Sequence, residues 1–204
     1  MLTEERSYVL DDRLKKLEQL RERGIEPFAY SYHVTHSSDD AKALFSDDEN
    51  AEVVTVQVAG RLVALRAHGK TTFAHLSDRS GRIQLYFRKD ELGEDAYGVL
   101  HLLDIGDWIG IAGTLFRTKT GEITIRVASF QVLAKSLRPL PMGKEEIDEQ
   151  TGERIVHHGF TDVEQRYRQR YADLAVNPEI RDVFYRRTRL IAALRQFLDA
   201  RGFM

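Results

Sequence analysis

The sequence predicts a mainly β fold with flanking helices (α+β). Five strand patterns between residues 53 and 133 indicate it, with one helical stretch after the third and helical patterns at both ends of the chain. Side chains alternate between two faces along a strand, whereas a helical face repeats every three to four residues, so the two patterns can be told apart. The chain has 204 residues, of which 42% are hydrophobic, and this is ample for a hydrophobic core.

The N-terminal part of the chain, residues 1–52, is predicted to be a helical extension. Leucines recur at helical spacing over about Thr3–Arg23, and Gly24 follows as a stop signal. A capping-box spacing precedes a second, short helix at Ser38–Phe45. Two interpretations stay open for this region: a helical layer packed on the next domain, or direct ligand contact through its basic residues.

Residues 53–135 carry the strand patterns. They read VVTVQVAGRLVALR, TTFAHLSD, RIQLYFR, DWIGIAGTLFRT and EITIRVASFQVL, with the helical stretch Glu94–Leu102 between the third and the fourth. This element order is that of a five-stranded OB-fold barrel, which binds oligonucleotides on the face of its second and third strands. Gly60 lies in the middle of the long first strand, where a barrel strand must bend sharply.

The second and third strands separate an apolar face from an unusual outer face. The inward set is apolar apart from one threonine: Thr72, Ala74, Leu76, Ile83, Leu85 and Phe87. The outward set on these strands is Phe73, His75, Gln84 and Tyr86, and Arg66 precedes it on the first strand. Exposed aromatic rings among arginines and an amide are suited to stacking on nucleobases.

Charge is distributed unevenly along a chain whose net charge is −2. Residues 53–138 contain 12 basic and 8 acidic groups, whereas residues 1–52 contain 7 and 13. The β-rich segment is therefore locally basic, as polyanion contact requires.

The absence of cysteine excludes disulfides and thiolate metal sites, and no apolar run is long enough for a membrane span or a secretory signal. A cytoplasmic location without membrane contact is expected.

The C-terminal third is predicted to be a linker followed by helices. Residues 136–162 are acidic and punctuated by Gly and Pro, which indicates an exposed linker or loop. Thr161 and Glu164 have capping-box spacing ahead of a helix, and Pro178 is predicted at the first position of the next one. The end of the chain, Phe203-Met204, resembles the entrance to a further strand, so a longer parent protein is expected.

No motif in the sequence predicts a catalytic residue or a metal ligand. GKTT, beginning at Gly69, resembles the end of a phosphate-binding P-loop, but Ala64 stands where that motif needs its first glycine. The adjacent His157 and His158 lack a partner at ligand spacing, and the acidic run Glu145–Glu149 lacks the pattern of a calcium loop.

Three blocks of sequence together carry a family resemblance: VAGRLVALRAHGKTTFAHLSDRSGRIQLYFRKDELG, GTLFRTKTGEITIRVASFQVLAKSLRPLP and HGFTDVEQRYRQRYADLAVNPEIRDVF. They resemble class II lysyl-tRNA synthetases. The resemblance continues through RRTRLIAALRQFLDARGF, and RERGIEPFAY matches the usual opening of the family. The opening, LRPLP and RYRQRYADL favour lysine over aspartate or asparagine as the amino acid.

The resemblance implies anticodon-binding roles for four residues. In the family, a phenylalanine stacks on the central anticodon uridine and a glutamine eleven residues later hydrogen-bonds that base; Phe73 and Gln84 have this spacing. An arginine seven residues before the phenylalanine corresponds to Arg66, and the glutamate of TKTGE, which reads a neighbouring base, corresponds to Glu122. His75 and Tyr86 are added by strand alternation alone.

The resemblance also implies a parent enzyme. Its barrel would bind the anticodon loop of a lysine tRNA, and its catalytic domain, of which residues 163–204 would be the truncated start, would attach lysine through an ATP- and Mg²⁺-dependent lysyl-adenylate. The helix Arg181–Arg201 would help to build a homodimer. The chain itself is expected to be inactive and to need no cofactor. A stand-alone OB-fold module that binds single-stranded nucleic acid and a protein-interaction domain remain as alternatives.

Overall fold

The computed structural model describes residues 2–48, 53–142, 144–147, 154–157 and 160–203. The side chains of residues 2–7, 144–147 and 154–157 are not among the features described. The chain divides into two compact units, Met1–Pro139 and Leu140–Met204.

The first unit contains a closed five-stranded barrel. Its strands are β1 (Thr55–His68), β2 (Thr71–Ser77), β3 (Arg82–Arg88), β4 (Trp108–Arg117) and β5 (Ile123–Ala134). They close in the order β1–β2–β3–β5–β4, and only the β3–β5 pair is parallel. The predicted fold class is therefore confirmed.

The first strand belongs to both sides of the barrel, and its glycine lies close to β2. Its first half pairs with β4 and its second half with β2, and both pairings meet at Arg61. A Cβ atom on Gly60 would lie 2.6 Å from the carbonyl oxygen of Ser77 and closer than 3.0 Å to two side-chain atoms of Leu76. The absence of a side chain at Gly60 therefore permits the close approach of β2, and the bend predicted there stays a prediction.

The barrel core follows the alternation predicted for β2 and β3. All six predicted inward residues are at most 3% exposed, and their neighbours in the sequence are half-buried or exposed. Leu62, Ile109, Ile111 and Ile125 complete the same apolar cluster from the other strands. Burial of this one face leaves the other face of β2 and β3 available for function.

Three helical segments connect β3 with β4. They are α3 (Lys89–Leu92), α4 (Glu94–Val99) and a 3₁₀ turn at Leu100–Leu102. Tyr97 of α4 is buried, and its hydroxyl lies 2.8 Å from the hydroxyl of Thr72. This bond gives the one inward polar residue of β2 a partner.

The N-terminal helix α1 (Leu2–Glu22) packs on the barrel through its leucines. Leu17 and Leu20 are buried, and Gly24 ends the helical path at a φ of 72°. Arg13 donates to the carbonyl oxygens of Ser136 and Ile105. The predicted helical layer is therefore present, and its contacts join the two ends of the first unit.

A cluster of charged side chains lies beneath α1. Lys135 has no exposed side-chain surface and donates to Asp107 at 2.7 Å, to Asp104 at 2.5 Å and to the carbonyl oxygen of Leu102 at 2.8 Å. Lys16 of α1 donates to Asp104 at 2.7 Å. Burial alone would raise the pKa of Asp104, but the bonds from Lys135 and Lys16 outweigh it, and the pKa lies below its ordinary 3.8.

The short helix α2 (Ser38–Ala43) is anchored on the β2–β3 turn. Its cap is Ser37, as predicted: the hydroxyl accepts from the backbone N–H of Asp40 and donates to its carboxylate. Asp78 accepts from the backbone N–H of Ser38 at 2.6 Å and from that of Ser80 at 2.7 Å. The residues that follow α2 therefore start from a position that is fixed relative to the barrel.

The second unit contains a hairpin and three helices. The hairpin pairs β6 (Lys144–Ile147) with β7 (Arg154–His157), where the sequence predicted only a loop. Its turn, together with His158, lies outside the described residues. The predicted cap at Thr161 is wrong, because the helix begins one residue later and Asp162 accepts from the N–H of Gln165 at 2.7 Å.

The helices of this unit are α5 (Val163–Arg168), α6 (Arg170–Val176) and α7 (Pro178–Asp199). Pro178 is at the first position of α7, as predicted. An apolar set on α7 is 38–71% exposed: Val183, Leu190, Ile191, Leu194, Phe197 and Leu198. No helix among the described residues combines the length and apolar character that a membrane span requires.

Candidate nucleic-acid interface

The outer face of β2 and β3 presents two aromatic rings side by side. Phe73 and Tyr86 are direct partners in the antiparallel register, and their ring centroids are 4.8 Å apart at an interplanar angle of 36°. Both are half-buried, because each ring covers part of the other and leaves the remainder in solvent. This distance lies within the range of stabilising ring pairs, so the rings support each other.

A third ring and a guanidinium extend the pair across the barrel. Phe116 of β4 lies 5.7 Å from Tyr86, centroid to centroid, and the Arg126 guanidinium lies 5.2 Å from the centre of Phe116. Phe73, Tyr86 and Phe116 are named here the aromatic row. Flat apolar rings ending at a cation form a surface on which unpaired bases can stack beside a phosphate.

A polar cluster adjoins the aromatic row on the same face. His75 and Gln84 are partners in the β2–β3 register, and the Glu122 carboxylate contacts both. Gln84 Nε2 donates to Glu122 Oε2 at 2.7 Å, and His75 Nε2 lies 3.1 Å from Glu122 Oε1. The structure therefore brings together two outward strand residues and the turn glutamate that the resemblance had pointed to.

The amide of Gln84 is held at both of its polar atoms. Thr124, fully buried on β5, donates its hydroxyl proton to Gln84 Oε1 at 2.7 Å, while the amide nitrogen donates to Glu122. A primary amide has two N–H groups and two acceptor lone pairs, so one donor and one acceptor remain for a ligand. Gln84 can thus present a fixed donor–acceptor pair to the edge of a base.

Arg66 lies at the edge of the same face. It is the register partner of Phe73 on the neighbouring strand and is exposed. Register partners project on the same side of an antiparallel sheet, so the guanidinium borders the aromatic row. All six predicted site residues therefore belong to one surface, and their individual roles stay predictions.

The turn between β4 and β5 positions Glu122. Gly121 has a φ of 89°, which favours glycine, and the N–H of Glu122 donates to the hydroxyl of Thr118 at 3.1 Å. Arg117 donates to the carbonyl oxygen of Gly121 at 2.9 Å. Arg117 also forms a two-point ion pair with Asp47, at 2.7 and 2.8 Å.

Three residues of this surface were missed at the level of sequence: Phe116, Thr124 and Arg126. Each has a signal in strand alternation, since Thr124 and Arg126 are two positions apart on β5. Their proximity to Gln84 and Tyr86 depends on the parallel β3–β5 register, which pairs Gln84 with Thr124 and Tyr86 with Arg126. That register joins distant parts of the chain and has no signature in the local sequence.

Comparison with known proteins gives a consistent result. Residues 56–133 match the tRNA anti-codon family, described as an OB-fold nucleic acid binding domain. The chain is 49% identical over 192 residues to the lysine–tRNA ligase of Carboxydothermus hydrogenoformans, and 48% identical over 192 residues to that of Moorella thermoacetica. It is 47% identical over 203 residues to the lysine–tRNA ligase of Thermoanaerobacter sp. strain X514.

These alignments cover most of this chain and a smaller part of each relative. They span 94% of the chain in the first two cases and 99% in the third, but only 36%, 36% and 38% of the relatives. The chain therefore spans little more than a third of the length of these relatives. The barrel therefore matches the OB-fold nucleic acid binding domain of the tRNA anti-codon family, and the predicted resemblance of the chain to lysyl-tRNA synthetases is confirmed.

Proposed function

We propose that the barrel binds the anticodon loop of a lysine tRNA, as part of a lysine–tRNA ligase. The observation that carries the proposal is the adjacency of the aromatic row and a Gln84 amide held at both polar atoms. Base stacking accepts any base, whereas an oriented donor–acceptor pair can select one. The similarity to relatives named lysine–tRNA ligase supports lysine tRNA as the partner in this proposal.

The six residues take distinct parts in this proposal. Phe73 and Tyr86 form the stacking surface for the bases of the loop, and Gln84 bonds the edge of the central uridine. Glu122, with His75, orients Gln84 and reads a neighbouring base. Arg66 holds a phosphate or stacks at the border of the face.

The catalytic properties are proposed for the longer enzyme alone. By resemblance it is a class II synthetase of the cytoplasm that uses ATP and Mg²⁺ to form lysyl-adenylate, and residues 163–204 begin its catalytic domain. Within the described ranges, no group of three or more His, Cys, Asp or Glu side chains could hold a metal ion. We propose that the 204-residue chain alone does not charge tRNA.

We also propose that the longer enzyme is a homodimer. The exposed apolar set of α7 supports this, because exposed apolar side chains grouped on one helix are typical of contact surfaces. Sedimentation of the chain at increasing concentration tests the proposal. Association that disappears when Leu190 and Leu194 are changed together to Ser would support it, and a monomer at every concentration would count against it.

The experiment that tests anticodon binding compares two RNA hairpins. One carries a UUU anticodon loop, and the other differs only in having cytidine at the central position. Tighter binding of the first supports the proposal. Equal binding of both would instead favour a stand-alone module that holds any single strand, and binding that does not weaken as salt rises would exclude a phosphate-dependent interface altogether.

A further inference from the structure

Arg117 connects the base-reading cluster to a segment distant in the sequence. Its Nε and one terminal nitrogen bind the two carboxylate oxygens of Asp47, which lies 70 residues away in the chain. Its other terminal nitrogen binds the carbonyl oxygen of Gly121, and its guanidinium lies 5.1 Å from the centre of the Phe45 ring. One planar group thus contacts both the turn and the segment after α2.

The bond to Gly121 is adjacent to the residue that orients Gln84. Gly121 immediately precedes Glu122, whose carboxylate accepts from Gln84 at 2.7 Å. Displacement of the turn would move this acceptor and release one end of the Gln84 amide. Arg117 therefore binds the residue that immediately precedes Glu122. Among the described residues, no hydrogen bond joins Arg117 to Gln84 itself.

Asp47 is a suitable anchor because its segment is itself attached to the barrel. The helix α2 is held on the β2–β3 turn through Asp78, and Ala41 is fully buried. The hydrogen bonds to Asp47 raise the pKa of Arg117 above its ordinary value, so the guanidinium stays charged. A guanidinium that donates to both oxygens of a carboxylate cannot rotate freely, whereas a group held by one hydrogen bond can.

We propose that Arg117 is a positioning residue for base selection: clamped between Asp47, Phe45 and Gly121, it holds the β4–β5 turn so that Glu122 fixes the Gln84 amide. This inference rests on the proposed function and deepens it. Loss of this clamp should reduce the preference for one base over another. It should not change the part of the affinity that is independent of base identity.

The test uses Arg117→Lys, which keeps the positive charge but cannot form the two-point pair. The readout is the ratio of dissociation constants for the cytidine and uridine hairpins, since any general charge effect cancels in a ratio. We expect the ratio to fall about two- to fivefold, the range that an exposed ion pair supports, with binding of the cytidine hairpin unchanged. An unchanged ratio would overturn the proposal, as would an equal loss on both hairpins, which indicates a phosphate contact.

A matched pair of aspartates provides the control. Asp47→Asn and Asp39→Asn each remove one carboxylate from the N-terminal extension, and the two side chains are similarly exposed, at 66% and 57%. Asp39 lies in α2 and forms an ion pair with Lys42 of the same helix, at 3.5 Å. The ratio should fall for Asp47→Asn alone. Equal effects of the two changes would contradict the clamp.

A measurement on the free protein separates this inference from the proposed function. The side-chain amide resonances of Gln84, recorded by NMR without RNA, should shift in Arg117→Lys and stay in place in Asp39→Asn. If the wild-type protein binds both hairpins equally, the proposed function fails. The Gln84 resonances would then still show whether Arg117 holds the turn in place. Unmoved resonances in Arg117→Lys would refute the clamp whatever the hairpins show.

Discussion

Replacing Lys135 by Met removes a cation whose side chain has no exposed surface. The ammonium uses its three protons on Asp104, Asp107 and Leu102, and methionine has a similar length but no charge. The change leaves two carboxylates close together beneath α1, with Asp107 fully buried. We therefore expect a loss of stability dominated by charge rather than by volume.

The magnitude follows from the bonds that remain. Removing one partner of a buried ion pair costs about 3–5 kcal/mol. Asp107 keeps the backbone N–H bonds of Asp104 and Ser136, and Asp104 keeps its bond from Lys16. These surviving bonds place the expected loss in the lower half of that range, about 3–4 kcal/mol, which lowers the melting temperature by about 10 °C.

Urea unfolding followed by tryptophan fluorescence measures this loss directly. The chain has one tryptophan, Trp108 on β4, so the signal reports on the barrel. Lys119→Met is the control, because Lys119 lies exposed in the β4–β5 turn. A loss for Lys135→Met no larger than that of the control would refute the structural reasoning.

The pH dependence separates charge from packing. In the wild type, the lowered pKa of Asp104 contributes stability above 3.8, and this contribution is lost as pH falls through the folded value. In Lys135→Met the carboxylate of Asp104 loses its main counter-charge, so protonation of Asp104 reduces the destabilisation of the variant. The stability difference should be smaller at about pH 4 than at about pH 7, and a constant difference would indicate a packing defect instead.

Three further substitutions test the interface. Phe73→Ala should weaken binding of both hairpins by about 1–3 kcal/mol with the fold retained, measured by fluorescence anisotropy; unchanged binding would remove Phe73 from the stacking surface. Gln84→Ala should lower the preference for the central uridine more than it lowers binding of the cytidine hairpin, and equal losses would exclude base reading. Thr124→Val keeps its shape but removes the bond to Gln84, so selectivity should fall by about 1 kcal/mol; selectivity equal to the wild type would show that Glu122 alone orients the amide.

Much of the barrel could be predicted because its signals are local. Strand alternation identified the inward and outward sets of β2 and β3. The hairpin of the second unit was missed because KEEI and RIVH have only four residues each and KEEI is rich in charge, which is atypical of strands. The cap at Thr161 was wrong because aspartate is the stronger capping residue, and Asp162 lies one position later.

The candidate site was predictable only in part, for a physical reason. Phe73, His75, Gln84 and Tyr86 follow from period two within neighbouring strands. The hydrogen bond that Gln84 accepts from Thr124 and the one that it donates to Glu122 depend on how β5 meets β3, and the clamp depends on a pair 70 residues apart. Such contacts are set by closure of the barrel, which no short stretch of sequence encodes.

The parallel β3–β5 pairing has a consequence for the motions of the protein. Phe73 and Tyr86 belong to a hairpin and face each other whether or not this seam is closed, whereas Thr124 reaches Gln84 only across it. Transient opening of the β3–β5 pairing would leave the Phe73 and Tyr86 rings paired but would break the hydrogen bond that Thr124 donates to the Gln84 amide. Opening of the β3–β5 pairing should therefore remove base selectivity before it removes affinity for RNA. A protein in which this pairing is open would still bind single strands but would no longer discriminate among them.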